Sequence, residues 1–327
     1  MSQSHLGRKV LRWFDAEANP QPQSGNLSKK PDLLRCIPFL LAHVACLGVF
    51  FVGFSWIAVG VAAFLYFIRM FAITGFYHRY FSHRGFKTNR FWQFIFALIG
   101  VSSAQRGPLW WAAHHRDHHR YSDTEKDIHS PVTRGFWWSH MFWFTSEYNF
   151  RTKLDKIRDF SKFPELRFLN RFDILVPVFL ALGIFSMGHL VNKIWPSLGT
   201  SGWQMLIWGF FISTLFLWHA TFSINSLAHQ IGSRRFKTKD QSRNNWFLAL
   251  ITLGEGWHNN HHRYPASTRQ GFYWWEIDIT YSLLKVMSWL GIVWDLRPVP
   301  AKILAEGSKR KRNPVEELPN NPSLAEL

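Results

Sequence analysis

Cysteine is almost missing from this chain: Cys36 and Cys46 are the only two in 327 residues. Both sit in or beside an apolar run, so they read as small packing residues, and neither a disulfide framework nor a thiolate metal site is on offer. Acidic residues are scarce too, 21 Asp and Glu against 38 Lys and Arg, for a net charge of +17. That balance suits nucleic acid, anionic lipid or an acidic protein partner. No zinc-finger, RRM or helix-turn-helix signature accompanies it, which argues against nucleic acid. No flavin motif or cysteine cluster occurs, so any redox carrier must come from outside. A cleaved leader is not expected, because the first apolar stretch begins late and lacks a small-residue cleavage site.

Aromatic residues are abundant, 17% of the chain with 18 Trp, and Trp favours membrane interfaces. The mean hydropathy of -0.11 averages over charged loops and apolar runs and conceals both. Four runs, residues 36–54, 56–77, 172–191 and 203–224, approach the roughly 20 residues needed to cross a bilayer. Ser55 and Trp56 form the turn between the first two, and Arg69 inside the second must face protein, water or a partner. Residues 91–104 are too short to cross and read as buried or interfacial, and residues 246–253 and 277–294 look amphipathic and interfacial. The expected fold is therefore an all-α membrane protein of four transmembrane helices under a helical cap, residues 78–171 and 225–300. A polar flexible lead, residues 1–35, precedes the membrane domain at residues 36–300. Beyond Pro298 and Pro300, residues 301–327 carry a basic run at 308–312 and read as a disordered tail. All Lys and Arg except Arg69 and Lys193 fall in the lead, cap and tail. The positive-inside rule then puts both termini and the cap in the cytosol, on the inner membrane if the source is bacterial.

Twelve of the sixteen histidines fall in that cap. His115, His118 and His119 stand at i, i+3 and i+4, within roughly 100° of arc on a helix, so their rings can converge on one centre. His258, His261 and His262 repeat the spelling. His78 and His83 stand five apart, about 140° on an ideal α-helix, which fits best where the second span ends and the chain turns. His229 lies one turn beyond Asn225. Imidazole suits iron, zinc, copper and nickel, and this many rings exceed the four ligands of one zinc, so more than one ion is expected. His5, His43, His129, His140, His189 and His219 are scattered and read as hydrogen-bonded or solvated imidazoles; His129 and His140 sit in the cap, where spacing alone does not make them supports of the ligands.

The boxes His78-x4-His83, His115-x2-His118-His119 and His258-x2-His261-His262, in this order with two spans between the second and third, resemble the integral-membrane fatty acid desaturases. Asn225-Ser-Leu-Ala-His229 and Gly254-Glu-Gly-Trp-His258 match as well. The likeness covers roughly residues 39–299 and is nearest to the acyl-CoA delta-9 (stearoyl-CoA) branch and its bacterial relatives. It implies a di-iron centre on His78, His83, His115, His118, His119, His229, His258, His261 and His262, with Asn225 holding one iron through water. His114 is then a neighbour of the second box rather than a ligand. It also implies dioxygen as co-substrate, a cis double bond at delta-9 of a saturated C16 or C18 acyl thioester, and an external donor such as a ferredoxin or cytochrome b5-like protein with its reductase. Gln105, Trp111 and Thr221 match the residues that bend the family's acyl tunnel. Tyr66 and Met70, about 18 and 12 Å above His78 along the second span, are expected to set chain length. Met70→Ala is then expected to lengthen the acyl groups accepted.

CoA is the first expectation for the acyl carrier, because the basic cap can meet phosphates. Ala113 and His114 stand where animal acyl-CoA desaturases carry an Arg-Asp pair, so an acyl lipid or acyl carrier protein stays open. A membrane di-iron hydroxylase or ketolase acting on an alkyl, sterol or carotenoid substrate is the nearest rival. A metal transporter is another, but it would spread ligands along its spans, and here they gather beyond the span ends.

Overall fold

The computed structural model describes residues 10–18 and 30–309. The remainder of the lead and residues 310–327 of the tail lie outside the described residues. Four helices are long and apolar enough to cross a membrane: span 1 (Leu33–Val52), span 2 (Trp56–Ser82), span 3 (Leu175–Ile194) and span 4 (Gly202–His229). Short polar residues start three of them. The Asp32 carboxylate accepts from the N–H groups of Leu34 and Arg35, Ser55 from Ala58, and Ser201 from Gln204, which satisfies donors that no helical turn can reach. Gly53, at φ 70°, makes the sharp turn between spans 1 and 2. The outer faces of spans 1 and 3 expose large apolar side chains such as Phe50, Phe51 and Phe179, as a lipid-facing surface requires. Arg69 is wholly buried, and its guanidinium donates to Leu65 O, Ser102 O, Thr214 Oγ1 and Ser213 Oγ. Those oxygens replace water around a charge that lipid would not accept.

Span 2 departs from the sequence expectation. It does not end near residue 77 but continues to Ser82, winding as α-helix to Phe71 and as π-helix over Ala72–Ser82. In a π-turn the i and i+5 residues stack, and the His83 N–H donates to the His78 carbonyl at 3.2 Å. A spacing of five, awkward on an α-helix, thus places both imidazoles on one face.

The cap is built around that π-segment. Helices α1 (Arg90–Val101) and α2 (Pro108–Tyr121) pack against it. Gly100 lets α1 approach closely, since a Cβ there would lie 2.3 Å from the Tyr77 ring. Helix α3 (Pro164–Arg171) braces α1 and α2. After span 4 come α4 (Trp246–Ile251), α5 (His258–Arg263) and α6 (Ile279–Trp289). The two-residue strands Lys87–Thr88 and Val293–Trp294 pair antiparallel, the one sheet among the described residues. Buried and half-buried ion pairs lock the cap together. Arg79 reaches Glu255 and Asp278, while Arg116 holds Asp159 through two 2.9 Å bonds and donates to the carbonyls of Phe81 and Ser82.

Two further differences concern the ends. Residues 301–309 form helix α7 (Ala301–Lys309), not a disordered tail. Pro300 starts it, its carbonyl accepting from Ile303 and Leu304. Ile303 packs with Phe236 and Phe272, and Glu306 pairs with Arg263. Residues 10–18 of the lead are pinned rather than loose: Asp15 takes a two-pronged bond from Arg171, and Trp13 Nε1 donates to Leu34 O.

Candidate metal centre

Nine imidazoles meet beneath the cap in two groups. His78, His83, His115, His119 and His261 form one, and His118, His229, His258 and His262 the other; within each group the ligand nitrogens lie within 4.8 Å of one another. Each of the two similar boxes divides its histidines. Helix α2 turns His115 and His119 toward the first group and His118 toward the second, as i+3 and i+4 directions differ on a helix. Helix α5 does the reverse, giving His261 to the first and His258 and His262 to the second. The π-segment supplies His78 and His83, and the last turn of span 4 supplies His229.

The spacing of these nitrogens suits metal ions. The Nε2 atoms of His78 and His261 are 3.0 Å apart, those of His261 and His119 2.9 Å, of His83 and His115 2.9 Å, and of His229 and His258 3.0 Å. Two nitrogens about 2.1 Å from an ion and at right angles lie about 3.0 Å apart, whereas a tetrahedral pair lies about 3.4 Å apart. The donors thus fit ions of higher coordination number better than zinc. His262 Nε2 is buried without a hydrogen-bond partner among the described residues, an orphan that a metal would satisfy.

Carboxylates on the far side of the rings fix which nitrogen is free. Asp127 meets His118 Nδ1 at 3.0 Å, Asp123 meets His229 Nδ1 at 2.9 Å, and Asp240 meets His262 Nδ1 at 2.8 Å. Glu255 meets His78 Nδ1 and also holds Arg79. Each carboxylate keeps the ring proton on Nδ1 and leaves the Nε2 lone pair facing its group. Of these acids only Glu255 stands out in the sequence, inside the Gly254-Glu-Gly-Trp-His258 match. Asp123 and Asp127 follow the second box closely, which is a usable signal, but Asp123 supports a histidine 106 residues away, which no local pattern reveals.

Burial pushes His83, His115, His119, His258 and His261 well below the ordinary imidazole value, and neighbouring imidazoles add to the effect. His262 falls to about 4 by burial, although Asp240 opposes it. His118 is the exception: burial lowers it, but the charge and hydrogen bond of Asp127 outweigh that and raise it. Neutral imidazoles at neutral pH are competent metal donors. His129 stacks on His118 with centroids 4.4 Å apart. His140 lies elsewhere, bonded to Ser226 Oγ and His219, and His114 turns to Arg151 O and the Trp110 ring.

An apolar cavity of about 640 Å³ reaches His115 and runs beside span 4 from Asn225 to Trp203, with spans 1 and 3 forming its other walls. Gln105, Trp111 and Thr221 line it, and Gln105 Nε2 donates to Thr221 Oγ1 at 3.0 Å. Val178, Leu182 and Trp203 line it while remaining 44%, 57% and 60% exposed, so it opens sideways onto the lipid-facing surface. Tyr66 and Met70 do not line it. Met70 is fully buried in the main core, and the Tyr66 hydroxyl donates to Ile251 O. Height along span 2 placed them at a plausible depth, but Tyr66 turns toward α4 and Met70 into the core.

The profile of the fatty acid desaturase family matches residues 54–287. The chain is similar to the sn-1 stearoyl-lipid 9-desaturase of Synechocystis sp., 38% identical over 268 residues that cover 81% of this chain and 79% of that one. It is similar also to acyl-CoA 5-desaturase AL21 of Anemone leveillei, 37% identical over 80% of this chain and 78% of that one. The delta-9 acyl-lipid desaturase 1 of Arabidopsis thaliana is 34% identical over 87% of both chains.

Proposed function

Since the chain belongs to the fatty acid desaturase family, we propose that it is an oxygen-dependent acyl desaturase placing a cis double bond at delta-9 of saturated C16 or C18 acyl groups. The observation that carries this reading is the pair of histidine groups, five and four, at the end of an apolar cavity. The nine histidines would hold two irons, with Asn225 beside them on the cavity wall. Bound iron supplies what no side chain can, activation of dioxygen to break an unactivated C–H bond. The chain's own residues do the positioning. Successive methylenes are chemically alike, so regioselectivity depends on where the wall halts and bends the acyl chain. The Gln105–Thr221 bond and the Trp111 ring, stacked on His115 at 5.0 Å, would fix that bend. The delta-9 position is supported by the names of several relatives, others of which act at different positions.

The cap is assigned to the cytosol by its basic residues, and that charge would draw an acidic donor such as a ferredoxin or cytochrome b5-like protein. The sequence favours CoA as acyl carrier. The sideways opening of the cavity favours a membrane lipid, and the relatives' names include both. Expression in a host lacking desaturases, followed by gas chromatography of its fatty acids, tests the proposal. A delta-9 monoene that disappears with His261→Ala is expected. An alcohol in its place would move the protein to the hydroxylases, and unchanged saturated chains would overturn the reading.

A further inference from the structure

At the cap-side mouth of the cavity two guanidiniums lie over one ring and a third lines the same wall. Arg35 lies 3.5 Å and Arg106 4.2 Å from the Phe150 centroid, and Arg12 lines the same mouth. Three carboxylates stand nearby, and Asp173 keeps one buried oxygen without a hydrogen bond. Glu147 meets Arg12 at 3.4 Å, Asp173 meets Arg106 at 3.3 Å, and Asp32 accepts from the backbone N–H groups that open span 1. Arg35 is left over. It is only 7% exposed, yet none of its three guanidinium nitrogens has a hydrogen-bond partner among the described residues. Ring contact satisfies the flat face of a guanidinium but none of its in-plane N–H groups. A buried cation with every donor idle is costly unless an anion occupies the mouth. Arg35 is the third residue of span 1, at the level where a bilayer's headgroups lie, and the cavity below it opens sideways toward lipid.

We propose that Arg35, flanked by Arg12 and Arg106 on Phe150, binds the phosphate of the acyl donor, and that this donor is a glycerophospholipid whose acyl chain enters between spans 1 and 3. The inference rests on the acyl desaturase reading and adds the headgroup chemistry. Planar guanidinium forks match phosphate oxygens in pairs, which suits Arg better than Lys.

The full-length protein tests this in two ways. Native mass spectrometry of wild type, Arg35→Gln and Arg35→Lys with added distearoyl phosphatidylglycerol measures headgroup binding without turnover. Kinetics of the iron-loaded enzyme with ferredoxin and its reductase compare three donors: stearoyl phosphatidylglycerol, stearoyl-CoA and the uncharged stearoyl monogalactosyldiacylglycerol. Arg35→Gln is expected to weaken lipid retention and raise KM for phosphatidylglycerol roughly tenfold or more, with kcat and the galactolipid KM unchanged. Arg35→Lys should recover part of the loss. A rise for stearoyl-CoA alone would keep the phosphate site and overturn the lipid as its source. No change in retention or KM, or an equal rise for the uncharged donor, would overturn the proposal. If wild type desaturates no donor, the acyl desaturase reading fails, and the retention measurement judges the anion site alone.

Discussion

At the scale of single residues the histidine groups depend on the acids behind their rings. Asp127 is held well below the ordinary carboxylate range by His118 and His129 in spite of its burial. Asp127→Asn keeps the shape but removes the charge that pins the His118 proton. Iron retained after purification, measured by elemental analysis, should correspond to roughly ten- to hundredfold weaker binding at that group. His140 makes a separate prediction. Burial first, then the His219 charge, lowers it to about 4. Between its unfolded value near 6.5 and about 4, the unfolded chain takes up a proton that the folded one refuses. The stability held above pH 6.5 is therefore lost as pH falls toward 4 and declines no further from this group below that. Thermal melts across this window should show a shallower acid slope for His140→Asn than for wild type.

At the scale of elements, cavity walls and not height along a helix decide what a substrate meets. Leu206 lines the deep part of the cavity near Trp203 and Phe185, whose rings touch at 5.0 Å. Leu206→Trp should shift products from C18 toward C16 and shorter chains, whereas Met70→Ala should cost stability, about 2–5 kcal/mol for a buried site, and leave chain length unchanged. Gas chromatography and thermal melts of the same preparations separate these outcomes. The Met70 expectation parts from the cavity lining because spacing gives a residue's depth but not which neighbour its face meets. The five-residue gap between His78 and His83 misled for a related reason: it was judged against α-helical rotation, and the chain chose a π-turn. The i, i+3, i+4 boxes read well because α2 and α5 keep ordinary helical geometry through them.

At the scale of the whole molecule, apolar length fixed the number of spans, and charge separated membrane from cap. The ends were harder to read. Pro298 and Pro300 looked like a stop, but proline also suits the start of a helix, and Gly307 lets α7 lie against Tyr273 and Phe236, whose atoms a Cβ would meet within 2.6 Å. Contacts that join distant segments, such as Asp123 with His229 and Arg79 with Glu255, leave no local pattern at all. The sharing of α2 and α5 between both histidine groups has a thermodynamic corollary. The first ion to arrive would immobilise both helices and so pre-arrange the remaining nitrogens for the second. Titrating the stripped protein with ferrous iron should then populate empty and doubly loaded species at the expense of singly loaded ones, in a steep sigmoid rather than two separate steps.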